Sequence, residues 1–273
     1  MSRVWFSQPL ETVATYWRVY RRDGVTLGFT THDRDLLFDG VLHRSAPGMI
    51  PSAIRRSADL DPDSAEVQGA LSHDSISAAD LALGRFDRAR VMIGLVDWDN
   101  LDHREIYRGT IGTVTEEAGG FTAALESRKL ELQRDPVPRT SPSCRAAFCG
   151  PGCTLSAARF ERDTSVASVD PAANAVLPAG TANSANLVGG TLRWLDGPYA
   201  GLIMGIVGQN AAGLLLDTPL DLAILAGTRI RLREGCDRTL ATCAGRFGNA
   251  INFQGEPHLP GNDLVTRYPA PTG

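Results

Sequence analysis

The 273-residue chain is 43% hydrophobic and 21% charged, with a formal net charge of −4. That composition suits a globular protein of one large or two ordinary domains. It argues against a dedicated nucleic-acid binder, which concentrates basic charge on one face. No apolar run approaches the roughly 20 residues that carry a helix across a bilayer, and Met1–Pro9 lacks the apolar core and cleavage site of a secretory signal, so a reducing cytoplasm is the expected site of synthesis.

Taken in chain order, the first half is dense with hairpin signals. Trp17–Tyr20 alternates, Arg22-Asp23-Gly24 turns, Val25–Thr31 alternates again, and Phe38-Asp39-Gly40-Val41 turns a second time. His32, with Asp33 and Asp35 nearby, reads as a solvated turn rather than a hydrolase centre, because the serines lack a G-x-S-x-G context. Ser77-Ala-Ala-Asp80 opens a short helix that stops at Gly84. Arg90–Trp98, Ile106–Val114 and Phe121–Leu125 read as strands, the last two joined through Glu117–Gly120. A mostly β domain thus spans residues 1–134.

Asp135–Pro142 holds three prolines in eight residues, a composition that favours an extended linker. Beyond it, Thr164–Val169, Thr191–Trp194, Gly201–Val207, Ala212–Leu216 and Thr228–Arg233 are strand-like runs separated by Gly, Asn and Asp turns. They predict a second β barrel or sandwich over residues 143–273. The Pro/Ala/Asn-rich stretch from Asp170 to Asn186 is expected to be an exposed loop and a contact surface. The fold class is therefore mainly β, two barrel- or sandwich-like domains with a few short helices.

Four of the five cysteines form two pairs, Cys144/Cys153 (C-x8-C) and Cys236/Cys243 (C-x6-C), each beside glycine and arginine in turn-rich sequence. That pattern points to a four-thiolate site, with Cys149 as an extra thiol inside the first pair. Neither spacing is that of common zinc ribbons or bacterial ferredoxins, so an iron–sulfur cluster and zinc both stay open on spacing alone. Disulfides fit an odd count in a reducing compartment poorly, and five unrelated core cysteines are the bland alternative. The pairs flank the strands of the second domain, one before the first and one after the last. A shared site would close a span of 83 residues from Cys153 to Cys236, restricting the unfolded chain by roughly a few kcal/mol. Arg246 and Asn249 can either donate to sulfur or satisfy loop carbonyls. His258, between prolines, can either ligate or fix a loop.

The stretch from Gly235 to Gly261, with Cys236, Cys243, Arg246, Asn249 and His258, closely resembles the C-terminal signature of phage tail-tip proteins that include the baseplate hub of gene transfer agents. The Trp17–His32 region and the Cys144/Cys153 segment resemble the same family, so the likeness covers nearly the whole chain. The cysteines are also similar to those of the tail-tip protein L of phage lambda, and that resemblance implies a four-iron, four-sulfur cluster on Cys144, Cys153, Cys236 and Cys243. It further implies a structural, non-enzymatic role in the tail tip of a phage-like particle. The expected assembly is a homotrimeric ring joining the distal tail protein to central tip or fibre proteins, beside a tail-associated peptidase and the tape measure. DNA would pass through its channel without sequence-specific binding. No phosphate loop, H-E-x-x-H or dinucleotide fingerprint is present. A cytosolic iron–sulfur redox protein and a zinc-stabilised assembly module are the competing readings.

Overall fold

The structure, a computed structural model, describes residues 12–45, 49–52, 64–70, 72–73, 76–117, 120–127, 129–132, 137–180, 184–220 and 223–258. The chain divides into two compact units, Met1–Pro136 and Val137–Gly273.

The first unit is built on one nine-stranded sheet. Its strands are β1 (Val13–Tyr20), β2 (Thr26–Thr30), β3 (Leu36–Phe38), β4 (Val41–Arg44), β5 (Met49–Pro51), β6 (Ser64–Ala70), β9 (Arg90–Asp97), β10 (His103–Glu117) and β11 (Gly120–Ser127). Their order across the sheet is β3-β4-β2-β1-β9-β10-β11-β6-β5, and a separate small ribbon pairs β7 (Ser72–His73) with β8 (Ile76–Ser77). The hairpins form where the turn residues demand them: Asp39 and Gly40 both take positive φ, 52° and 73°, the conformation of a type I′ turn. The short helix α1 (Ala78–Ala82) is capped by Ser77, whose Oγ accepts the Asp80 N–H at 3.1 Å. Strands β5 and β6 have no counterpart in the sequence reading. Ser64–Ala70 reads Ser-Ala-Glu-Val-Gln-Gly-Ala, in which only Val67 is a strong strand former.

Period-2 alternation sends the side chains of β1 to two different cores. Trp17 and Val19 join Phe29, Ile76, Phe86, Ile93, Ile111 and Phe121 on one side, while Ala14 and Tyr16 pack with Leu36, Phe38 and Val96 on the other. The second side also carries Arg18, which is buried despite its charge. Arg18 Nε donates to His43 Nε2 at 2.9 Å, His43 Nδ1 pairs with the Leu36 carbonyl at 3.2 Å, and Asp39 bridges Arg18 (3.2 Å) and His103 (2.8 Å). His32 lies in a turn, its Nδ1 accepting the Arg34 N–H at 3.1 Å and its ring 4.9 Å from that of Trp98.

The second unit is a closed six-stranded barrel. Around it run β12 (Glu161–Asp170), β13 (Ala175–Pro178), β16 (Gly213–Leu216), β15 (Ile203–Asn210), β14 (Thr191–Trp194) and β17 (Arg229–Arg233), with β17 pairing back onto β12. Alternating residues Val166, Val176, Leu192, Trp194, Met204, Ile206, Leu214, Leu216, Ile230 and Leu232 are buried. β13 corrects the expectation of an exposed loop from Asp170 to Asn186. Ala175–Pro178 is a barrel strand with Ala175 and Val176 fully buried, entered through a turn in which Asn174 takes φ 51°. Residues 181–183 of that stretch lie outside the described set.

The proline-rich run is tied to the second unit from Ser141 onward. Glu256 accepts the Ser141 N–H at 2.8 Å and pairs with Arg145 at 2.7 Å, while the Glu256 N–H donates to the Ser141 carbonyl at 2.8 Å.

Candidate metal centre

Barrel closure brings the two cysteine segments together. β12 begins where the first segment ends, β17 ends where the second begins, and the two strands pair Glu161 with Arg233. The ladder continues by one bond, from the Glu234 N–H to the Phe160 carbonyl at 3.0 Å. Residues before 161 and after 233 therefore leave the barrel side by side, although cysteines 83 residues apart in sequence flank it.

Cys144, Cys153, Cys236 and Cys243 all line one small cavity, walled by Ala146, Phe148, Leu155, Phe247 and Phe253 and closed by Arg238, Thr239, Asn249 and Asn252. No disulfide joins any of the five cysteines. Cys149 does not line the cavity, so the structure separates the fifth thiol from the other four. Cys149 sits at φ 58° in a loop where Gly152 (84°) and Thr154 (62°) are also left-handed. Such conformations persist where surrounding contacts over-determine them.

Each segment is braced against the other. The Cys144 N–H donates to the Arg238 carbonyl at 2.9 Å, and the Arg145 N–H to the Gln254 carbonyl at 3.0 Å. Cys153 follows a tight turn in which its N–H bonds the Gly150 carbonyl at 3.1 Å. Cys243 lies within α2 (Leu240–Gly245), capped by Thr239, whose Oγ accepts the Thr242 N–H at 3.2 Å. Asp237 fixes that turn by accepting from the Thr239 N–H (2.9 Å) and the Thr242 hydroxyl (2.7 Å), and these bonds hold its carboxyl below the usual range. Gly235, next to Cys236, runs so close to the β14 approach that a Cβ there would meet the Val188 carbonyl oxygen at 2.0 Å.

Three of the four cavity sulfurs face an N–H. Gln254 N lies 3.4 Å from Cys144 Sγ, Arg238 N 3.4 Å from Cys236 Sγ, and Asn249 Nδ2 3.8 Å from Cys153 Sγ. Such donors favour thiolate over thiol. Without a cation the balance runs the other way: burial, then the neighbouring sulfur charges, pushes the Cys243 thiol up, and burial first also raises Cys236 and Cys149. A largely half-buried set of sulfurs, whose thiolates would repel one another and three of which face an N–H, is a donor set suited to a thiophilic cation. Among the described residues no group of three or more His, Cys, Asp or Glu is arranged around a single ion.

Of the two flanking residues weighed from sequence, Arg246 serves carbonyls. It donates to Gly235 O (3.2 Å) and Asn186 O (3.3 Å), pairs with Glu234, and lies over the Phe247 ring. Asn249 reaches both a carbonyl and a sulfur. His258 is exposed and is not among the cavity-lining residues. Sequence reasoning missed the aromatic wall: Phe148, Phe160 and Phe247 pack with ring centroids 4.9–5.3 Å apart, and two of them face the cavity. Their positions beside Cys149, Glu161 and Arg246 were the only signal.

A family described as baseplate hub protein, N-terminal attachment domain, matches residues 3–156, and a second, described as phage conserved hypothetical protein BR0599, matches residues 186–263. The first match contains Cys144 and Cys153, the second Cys236 and Cys243. A solved chain from the virion of a native gene transfer agent particle superimposes with a TM-score of 0.82 at 33% identity, over 98% of this chain and 95% of that one. A search of curated proteins finds no match. Among the described residues no helix is long and apolar enough to cross a membrane. With more than half of its length matched by the hub family and a virion chain alike from end to end, the protein belongs to the baseplate hub family of phage-like tails.

Proposed function

We propose that this chain is a non-enzymatic hub of a phage-like tail tip that carries a four-thiolate iron–sulfur centre in its second unit. The hub is read as a homotrimeric ring between the distal tail protein and the central tip or fibre proteins, near the peptidase and tape measure, its channel passing DNA without reading sequence. Cys144, Cys153, Cys236 and Cys243 would hold the cluster. The observation that carries this part is that four thiols from two distant segments wall one cavity, in a chain like a gene transfer agent virion chain over nearly its full length.

A bound cluster would supply four strong bonds across the mouth of the barrel, fastening the segment before β12 to the segment after β17. Four thiolates suit zinc and an iron–sulfur cluster alike, and the likeness of these cysteines to those of the phage lambda tail-tip protein is what favours the cluster. The protein's own groups would orient the sulfurs through the Gln254, Arg238 and Asn249 N–H donors and exclude water with Phe148, Phe247 and Phe253.

The assembly role is tested by deleting the coding sequence in the producing strain and imaging the particles. Tails that end without a tip and deliver no DNA are expected; complete, infective tails would contradict it. Light scattering on the purified chain is expected to give three times the 29.2 kDa monomer mass, and a monomer at all concentrations would remove the trimer.

A further inference from the structure

Asn249 stands between the two cysteine segments, and its N–H donors are committed there. Its backbone N–H donates to the Cys243 carbonyl at 2.9 Å. Its side-chain Nδ2 donates to the Cys153 carbonyl at 2.6 Å and lies 3.8 Å from Cys153 Sγ. Its Oδ1 accepts from Asn252 Nδ2 at 2.7 Å, so the acceptor end of the amide is engaged elsewhere and the donor end faces Cys153. The residue is 6% exposed. An amide has two N–H groups; bracing the loop needs only the one on the carbonyl. The same nitrogen lies within reach of the Cys153 sulfur at 3.8 Å, and an N–H donor is worth most to an ionised acceptor.

We infer that Asn249 is the positioning residue of the thiolate centre: it fixes Cys153 relative to Cys243 and donates to the Cys153 sulfur when that sulfur is a ligand. The inference rests on the four-thiolate reading above and concerns what sets the strength of that centre. Partners of metal ligands typically contribute 10–100-fold in affinity, and an N–H directed at a cluster sulfur stabilises the more negative, reduced state.

The test compares the full-length chain with Asn249→Asp, Asn249→Ala and Asn252→Ala, all purified anaerobically. Retention of metal is read by competition with bathophenanthroline for iron and 4-(2-pyridylazo)resorcinol for zinc. Asn249→Asp keeps the shape but replaces the donor by an acceptor, so it is expected to lose metal about 10–100-fold more readily than wild type. It should be at least as impaired as Asn249→Ala. Asn252→Ala, which frees the amide to turn, should fall between, and it carries the test if Asn249→Asp does not fold by circular dichroism. With iron bound, loss of the donor should also shift the reduction potential negative. Asn249→Asp holding metal as tightly as wild type, or better than Asn249→Ala, overturns the inference while leaving the centre intact. Wild type that binds no metal overturns both.

Discussion

Gly235→Ala puts the assembly of the centre under direct strain. The new Cβ would lie 2.0 Å from the Val188 carbonyl oxygen, 2.6 Å from the Gly189 carbonyl carbon and 2.6 Å from the Gly190 N. All three are backbone atoms, so the strand end moves by more than an ångström or the loop opposite does. Overpacking of this kind costs about 1–3 kcal/mol. The bond from the Gly235 N–H to the Asn186 carbonyl, 2.9 Å, is displaced with it, adding about 1 kcal/mol. For a unit of this size the sum lowers the thermal midpoint by roughly 5–15 °C. Because Cys236 is the next residue and metal sites tolerate only about 0.2 Å of ligand displacement, metal retention should fall as well. Gly245→Ala is the control: a Cβ there meets nothing within 4 Å, at the end of α2, and alanine favours a helix by up to about 1 kcal/mol. Differential scanning calorimetry and metal analysis on both variants check the pair. Equal midpoints and equal metal content in Gly235→Ala and wild type would refute the argument that this close approach seats Cys236.

Acid should weaken the first unit before its carboxylates titrate. Burial and the adjacent Arg18 push His43 down to about 4, from 6.5. The unfolded chain therefore binds a proton that the fold refuses, and stability present above pH 6.5 is lost as pH falls toward 4, by about 3 kcal/mol at most. A thermal midpoint that is flat between pH 6.5 and 4.5, or a His43→Gln variant with the same slope as wild type, would contradict this. The Asp23 side chain, 2% exposed, lies between Arg21 and Arg85, so Asp23→Ala leaves two largely buried cations sharing the single carboxylate of Asp80 and should cost about 3–5 kcal/mol by urea unfolding. Arg231→Ala breaks the solvent-screened pair with Asp163 and should cost far less. Comparable losses in the two would show that burial does not set the difference.

The strands that sequence revealed are those whose alternation is clean and whose core is local. Thr191–Trp194 falls on β14 residue for residue, Thr228–Arg233 nearly on β17, and the Asp39-Gly40 turn on the β3–β4 hairpin. β6 escaped because Ala, Gly, Glu and Gln carry little strand preference and its pairing with β11 comes from a distant segment. β13 escaped because four residues ending in proline look like loop, and only the closing of the barrel gives Ala175 and Val176 a core to enter. The same non-local event hid the reason for the cysteine site. Composition and spacing single out the four thiols, but that they face one cavity follows from the pairing of Glu161 with Arg233, which no local pattern encodes. Arg18 shows the limit in the other direction. An arginine in an alternating strand reads as solvent-facing, yet Phe38, His43 and Asp39 fold over it from the β3–β4 hairpin and bury it.

The thiolate centre is tested most directly by purifying the chain anaerobically and measuring iron, sulfide, zinc and visible absorption, for wild type and for Cys→Ser at each of the five cysteines. The account expects iron and sulfide with a broad thiolate-to-iron band, lost on changing Cys144, Cys153, Cys236 or Cys243 and kept in Cys149→Ser. One zinc in a colourless protein, with the same pattern of loss, would keep the four ligands and replace the cluster. No bound metal, or a band that survives any of the four substitutions and disappears in Cys149→Ser, would contradict it.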